Sequence, residues 1–498
     1  MSSLNWKVEQ AIREQWPRLT FRYSTGAYDD EKDHAPDELV FYGSSGFDKI
    51  IRQLPHLEEL SFLGFPTLKA LPETIKTLQN LRILRIHGCF LRELPAWLGA
   101  LTALQELDVT RNNLASLPAT LAQHPHLETL ILDHTLFTEI PPLVGELMNL
   151  RAFSLSHTGY GMPHKIAEIP PTLCQLPNLE SLILSSNKIE TLPPEIGQLT
   201  NLKYLDLAGN PLQALPDEIG DLASLETLVL GSQSLTAVPP ALGKLKQLRV
   251  LEFGSLTRLE HLPSEIGQLS NLEKLSLNFV DDTLPDSLGD LVNLQTLSLS
   301  CHAAPLPDTF ANLQSLKSFT LRMKPNQPLP AVICKMSALE RLLVTPFLTS
   351  LPPEIGNLVN LRELKLVHSN LQQLPAEIGQ LRMLQKLDLS QNPLESLPEA
   401  FGRLQNLERL ELQGTTLPEA PEILTTLPHL AYLHLSKTTW ENTPKQTVQQ
   451  LRKQVKRLRG LPTKPRKQSS WETISCLLTF TFFLFLCATL FWLLSRFF

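Results

Sequence analysis

The amino-acid sequence predicts an α/β solenoid, a curved stack of repeats with a parallel sheet on its concave side, finished by one C-terminal transmembrane helix. Three observations carry this expectation. The pattern LxxLxL returns seventeen times from Leu57 to Leu430, at 22 to 24 residues except for one longer copy. Each copy changes period halfway, from alternation to helical spacing. Residues 474–494 form a run of 21 residues without a charge.

The first element is an N-terminal helical cap with a first strand, residues 1–56. Leu4, Val8, Ala11 and Ile12 share one helical face, with Trp16 following, and the LVFY run at 39–42 reads as a strand beside the first repeat. Terminal repeats expose leucines and need such a cover. The amphipathic, charged start of the chain lacks the apolar core of a signal peptide.

The solenoid follows, residues 57–440. In the copy LKYLDLAGNPLQALPDEIGDLAS from Leu202, Leu205 and Leu207 alternate with Tyr204 and Asp206, as in a short half-buried strand. Leu215, Ile219 and Leu222 then recur at helical spacing. Pro216 suits a first helical position, and the glycine of the IG pair argues for a short helical or 3₁₀ segment. One unit cannot cover its own leucines, but stacked neighbours can.

Asparagine stands at the ninth position of a copy only at Asn112, Asn187, Asn210 and Asn392, where its amide can satisfy turn backbone. Irregular turns are therefore expected between Leu256 and Phe347. The long copy, Leu150 to Leu179, carries its surplus within HTGYGMPHK, an expected loop with Tyr160, Met162 and His164 as a contact tip.

Residues 441–460 predict a basic amphipathic capping helix. Val448, Leu451, Val455 and Leu458 make its apolar stripe, and Arg452, Lys453, Lys456 and Arg457 lie opposite. Residues 461–473 read as a tether. The 474–494 run, as a helix of about 31 Å, matches a hydrocarbon core. Lys464, Arg466 and Lys467 precede it and only Arg496 follows, which predicts a single-pass protein with its bulk cytoplasmic and its C-terminus across the membrane.

Charge divides along the same boundary. Residues 1–440 hold 34 basic and 48 acidic residues, and the remainder holds ten and two. The acidic body argues against nucleic acid as a partner, and the basic tail suits anionic lipid. The six cysteines show no CxxC pair, a pattern that fits a reducing compartment.

No phosphate-loop, zinc-protease, hydrolase or kinase motif occurs in the sequence. His134 and His157 share the eighth position of adjacent copies, with His87, Asp108 and Asp133 nearby, but an open sheet gives them no enclosure. The expectation is a protein with no catalytic site, no metal and no cofactor.

The leucine pattern and the segments LPPEIGQL (192–199), LPDEIGDL (215–222), LPSEIGQL (262–269), LPPEIGNL (351–358) and LPAEIGQL (374–381) resemble the leucine-rich-repeat superfamily. Their second halves look like its Ras-group-related and scribble-like subclass, and the end of the chain resembles tail-anchored proteins. The likeness covers about residues 50–440. It implies a horseshoe with a concave protein-binding face, in some relatives for small GTPases or their regulators, and passes on no catalytic residue.

Outward strand positions locate candidates on that face. Ile183, Tyr204, Val229 and Val250 form an apolar diagonal, and Arg341, Lys365, Lys386 and Arg409 form a basic strip. The expected function is a non-catalytic, membrane-tethered scaffold binding partner proteins, in intracellular signalling. The alternative is a secreted effector of a host-associated microbe acting at a host membrane.

Overall fold

In the copy from Leu202, Tyr204–Asp206 is the strand and Asp217–Asp221 the outer 3₁₀ segment. Leu205, Leu207, Leu212, Ile219 and Leu222 point into one shared core and are fully buried. Pro216 opens the outer turn by accepting the Ile219 N–H at 3.1 Å. This computed structural model describes residues 18–23, 38–41, 47–122, 124–157, 166–254, 259–279, 284–301, 306–345 and 347–461.

Among the described residues, one all-parallel sheet of 20 strands runs the length of the body. Each of the seventeen copies contributes one strand, from Glu59–Leu63 to Tyr432–Leu435. The other three strands close the ends. Arg18–Tyr23 pairs with Glu59–Leu63 on one side and Glu38–Phe41 on the other. The 39–42 run is thus one place further out than expected. Arg18–Tyr23 takes the inner place, and its alternation of Leu19, Phe21 and Tyr23 with Arg18, Thr20 and Arg22 carries the strand period.

The other end also departs from expectation. Residues 441–460 are not one helix: the helix spans Lys445–Gln454, and Arg457–Arg459 is a strand paired with Tyr432–Leu435. The exposed edge of the last repeat presents unpaired backbone groups, and the chain satisfies them, Arg457 N–H donating to Ala431 O at 3.0 Å. Leu451 and Val455 are buried against the last repeat, and Trp440 Nε1 donates to Arg459 O at 2.8 Å. No helix among the described residues is long and apolar enough to cross a membrane. The predicted span 474–494, the tether beyond Leu461, the helical face of residues 4–12 and the Tyr160–His164 tip lie outside the described residues.

The ninth-position asparagines end their strands by bridging repeats. Asn210 Nδ2 donates to Leu184 O of the preceding copy and to Leu207 O of its own, at 2.8 and 2.9 Å. Its Oδ1 accepts the Ile189 N–H at 3.0 Å. Asn112, Asn187 and Asn392 repeat the pattern. Among the described residues Thr135 and Thr415 reach only a carbonyl of their own copy, Leu132 and Leu412, and the buried Ser369 Oγ has no partner. Strands followed by the asparagine are short, such as Glu106–Asp108 and Lys386–Asp388, each of 3 residues. Between Leu256 and Phe347 the described strands Lys274–Phe279 and Thr296–Cys301 run to 6 residues. Loss of the amide does not by itself lengthen a strand, since Thr129–Ile131, Ala152–Ser154 and Glu363–Lys365, in copies without the asparagine, also have 3 residues.

In about half of the copies the eighth position carries a left-handed backbone: Gly64, Gly88, Arg111, His134, Gly209 and Gln391 all have positive φ. Glycine meets that demand without steric cost.

The glycine of the IG pair has a different task. A Cβ on Gly220 or Gly379 would lie 2.3 or 2.2 Å from the carbonyl oxygen of Ala241 or Ala400 in the next copy. These glycines let successive outer segments touch backbone to backbone. Lys76 and Ala311 take the same place in their copies.

A second asparagine ladder lies just before the strands, one place ahead of each first leucine. Nδ2 of Asn201, Asn271, Asn293 and Asn406 donates to Pro177 O, Lys246 O, Ser270 O and Arg382 O at 2.8 to 2.9 Å. Beside it, the second positions carry cross-strand ion pairs: Lys203–Glu180 and Arg249–Glu273 at 2.8 Å, and Arg151–Glu180.

Cys89, Cys174, Cys301 and Cys334 are unpaired and buried, and burial pushes the thiols of Cys174 and Cys334 up to about 12. His124 is buried as well. Its Nε2–H donates to Leu101 O at 2.7 Å, while Nδ1 has no partner among the described residues. Burial holds its pKa below the usual 6.5, against the pull of the Leu101 carbonyl. The neutral ring is the folded form, so its contribution is complete above the unfolded pKa and is lost as pH falls through the depressed folded value. His124→Gln should therefore flatten the loss of thermal stability seen on acidification below about pH 6.5. Parallel melting-temperature profiles for the two proteins would remove His124 as the cause.

Candidate functional site

Alternation on each strand turns the leucines inward and leaves the third and fifth positions on the open concave face. Strand register then decides which of these outward residues meet.

Ile183, Tyr204, Val229 and Val250 lie on four successive strands, all half-buried. They occupy two rows. One row runs Ile183, Asp206, Val229, Glu252, and the other Ser181, Tyr204, Thr227, Val250. The apolar diagonal is therefore a zigzag, threaded by Asp206. Burial raises the Asp206 carboxyl above the usual range, opposed by hydrogen bonds from Ala208 N–H and Ser185. Burial, with Asp206 and Glu252, raises the Tyr204 phenol too. A carboxylate of this kind is easily discharged by a partner that excludes water.

The basic strip is more densely charged than its sequence positions suggest. The third-position row reads Arg341, Glu363, Lys386, Arg409, Tyr432, Arg457, and the fifth-position row Leu343, Lys365, Asp388, Glu411, His434, Arg459. Lys365 Nζ pairs with Glu363 at 2.7 Å, and that hydrogen bond holds the Glu363 carboxyl below its usual range. The Arg409 guanidinium binds Glu411 and lies 4.3 Å from the centre of the Tyr432 ring, a cation–π contact. His434 Nδ1 contacts the same Glu411 at 3.2 Å. Glu363, Lys365, Lys386, Asp388, Arg409 and Glu411 line a depression of about 340 Å³. Arg457 and Arg459 were absent from the predicted strip. Their signal, the alternation of KRLRG, was hidden inside an equally good helical stripe.

At the opposite end the polar groups satisfy one another. Arg85 Nε binds Glu106 at 2.7 Å, and His87 Nε2 binds Asp108 at 2.7 Å. Burial pushes the Asp108 carboxyl up, but hydrogen bonds from His87 and Thr110 outweigh it and leave the group below its usual range. Asp133 accepts Ser154 Oγ and the Ser156 N–H, both at 2.7 Å. His134 and His157 share a repeat position but not an environment. His134 is half-exposed at φ 54, and His157 is buried with Nε2 3.3 Å from Thr135 O. Among the described residues no three His, Cys, Asp or Glu side chains gather as metal ligands would.

Two larger depressions, of about 640 and 620 Å³, follow the lateral edge. They are open troughs floored by the second asparagine ladder and the charge row. Nothing encloses them as a small-molecule site requires.

The family profile described as "Leucine-rich repeat region" matches residues 194–303 and 352–480, and that described as "Leucine Rich repeats (2 copies)" matches 165–220. No curated protein matches the sequence. Among solved structures, a leucine-rich-repeat protein of Leptospira interrogans is 32% identical, with a TM-score of 0.68 over 79% of this chain and 99% of that one. The Toll–Spätzle complex of Drosophila is 18% identical with a TM-score of 0.63, over 84% of this chain and 60% of that one. A TDR receptor is 22% identical with a TM-score of 0.55, over 78% of each chain. The last two likenesses concern the fold alone.

Proposed function

Because the chain belongs to the leucine-rich-repeat proteins, we propose that it is a non-catalytic scaffold that binds a partner protein on its concave face while residues 474–494 hold it to a membrane. The observation that carries the reading is the open strand face, where a half-buried apolar zigzag and a charged zone are both accessible on one rigid sheet. Interfaces combine such an apolar centre with charged surroundings. The bulk of the chain would be cytoplasmic, with the C-terminus across the bilayer. Its partners would belong to intracellular signalling, a small GTPase or its regulator being the first to test. Tethering raises the local concentration of the face near membrane-bound partners.

Two measurements test the halves separately. Chain lacking residues 471–498 should leave the membrane fraction and lose its proximity-labelled partners in cells, yet bind them in vitro. Equally firm sedimentation of the truncated chain with membranes defeats the tether. For a partner so identified, Tyr204→Ala with Val250→Ala should weaken binding by about 2 kcal/mol or more, as central apolar contacts do. Arg249→Ala, on the lateral edge, should leave it unchanged. Equal effects would move the interface off the concave face.

The likeness to a microbial protein of Leptospira interrogans favours one other reading, a secreted effector that inserts into a host membrane. The physical parts are the same and the address differs, so a secretion assay in the source organism separates the two.

A further inference from the structure

Cross-strand neighbours of like charge are destabilising, and most of this sheet avoids them. Along the second-position row the signs alternate without a break through Glu128, Arg151, Glu180, Lys203, Glu226, Arg249 and Glu273. The third-position row at the carboxyl end alternates through Arg341, Glu363 and Lys386 and then breaks the rule. Lys386 and Arg409 are direct register partners, and Arg457 stands beyond Tyr432 in the same row, with Arg459 two residues on. Arg409 is neutralised by Glu411 and Lys365 by Glu363. Arg341, Lys386, Arg457 and Arg459 have no carboxylate within 4.0 Å among the described residues, and all four are exposed.

We propose that this carboxyl-terminal end of the concave face is the docking site of an acidic, extended polypeptide segment. Its carboxylates pair with Lys386, Arg457 and Arg459, and with Arg341 at the far side. The proposal rests on the scaffold reading and adds the chemistry and the place of the ligand.

The geometry favours a polypeptide over a bilayer surface. From Lys386 to Arg457 is three strand steps, roughly 14 Å at a strand spacing of about 4.8 Å. An extended chain laid along the row presents a carboxylate on one side about every 6.8 Å, so a short acidic run spans the cations. The Tyr432 ring, between Arg409 and Arg457, gives its backbone an apolar platform. A flat headgroup layer does not follow the floor of a concave sheet. The site holds the carboxylates of Glu363, Asp388 and Glu411 against the six cations Arg341, Lys365, Lys386, Arg409, Arg457 and Arg459, so it stays net basic, whereas the outer 3₁₀ segments carry Glu195, Asp217, Glu218, Asp221, Asp286 and Glu354. An acidic ligand is repelled there and steered to the basic end.

The test uses the full chain in neutral detergent and a fluorescein-labelled peptide of alternating glutamate and serine, read by anisotropy. Its glutamine counterpart and vesicles with or without phosphatidylserine serve as the other probes. The glutamate peptide should bind, the glutamine peptide should not, and added salt should weaken binding. The triple variant Lys386→Gln, Arg457→Gln, Arg459→Gln should lose about tenfold or more in affinity. Lys203→Gln with Arg249→Gln should lose none. Circular dichroism checks the fold of each variant, and Lys386→Gln alone, outside the terminal strand, should show a smaller loss in the same direction. Equal binding of both peptides, undiminished binding by the triple variant, or binding to phosphatidylserine vesicles and not to peptide would each overturn the proposal. A partner lost from the Tyr204 and Val250 variant but kept by the triple variant overturns it too, and leaves the scaffold reading standing.

Discussion

Replacing Asn210 with alanine is expected to lower stability by roughly 3 kcal/mol. The amide bridges two carbonyls, Leu184 O and Leu207 O, and accepts the Ile189 N–H, all in the buried turn. Alanine leaves Leu207 O and the Ile189 N–H without the Asn210 amide, while Leu184 O keeps the Asn187 amide at 3.1 Å, and each buried unsatisfied group costs about 1–3 kcal/mol. The measurement is residue-resolved hydrogen exchange, because a repeat array need not unfold as one unit. The Ile189 amide should lose protection first. Asn201→Ala is the contrast. Asn201 also bridges two copies, to Pro177 O at 2.8 Å, but it is exposed and water replaces it. Its loss should cost no more than about 0.5 kcal/mol. Equal effects at the two sites would mean that burial is not what gives the ninth position its weight.

Gly379→Ala is expected to cost about 1–3 kcal/mol, a large effect for one added methyl group. The new Cβ would meet Ala400 O at 2.2 Å and its carbonyl carbon at 2.8 Å. Backbone cannot rotate away as a side-chain tip can, so two copies must separate. The reverse change, Ala311→Gly, adds only flexibility, at roughly 0.5–1 kcal/mol. Exchange protection around Phe401 and Leu404 should fall in Gly379→Ala and stay unchanged in Ala311→Gly. Tolerance of alanine at Gly379 without loss of protection would show that the outer layer has slack the close approach denies.

The same glycine shows how far the sequence could be read. Its recurrence in LPxxIGxL marked a repeat and argued against a long helix, and both readings hold. The close contact with the next copy was not visible, because it depends on how two copies stack. Period was legible because stacking copies share one pattern of burial, so the seventeen strands and their outer segments follow from leucine spacing alone. The end strands were harder. Arg18–Tyr23 stands outside the repeat register, and Arg457–Arg459 continued a helical stripe through Val455 and Leu458 that only the open edge of the last repeat interrupts. Candidate binding residues were legible as outward positions, since alternation fixes which side they face. Their company was not. Register sets Asp206 between Ile183 and Val229, and brings Arg457 and Arg459 beside Tyr432 and His434, from a segment whose sequence suggests something else.

The sign alternation along the lateral edge has a consequence for how such a chain can grow or shrink. Its unit is two repeats, one acidic and one basic. Excising the single copy that holds Lys203 would set Glu180 against Glu226, whereas excising that copy with its neighbour would set Glu180 against Arg249. Duplication or deletion by pairs therefore preserves the edge, and odd-numbered events leave a repulsive seam. Length variants of this solenoid should differ by even numbers of repeats within the stretch from Glu128 to Glu273.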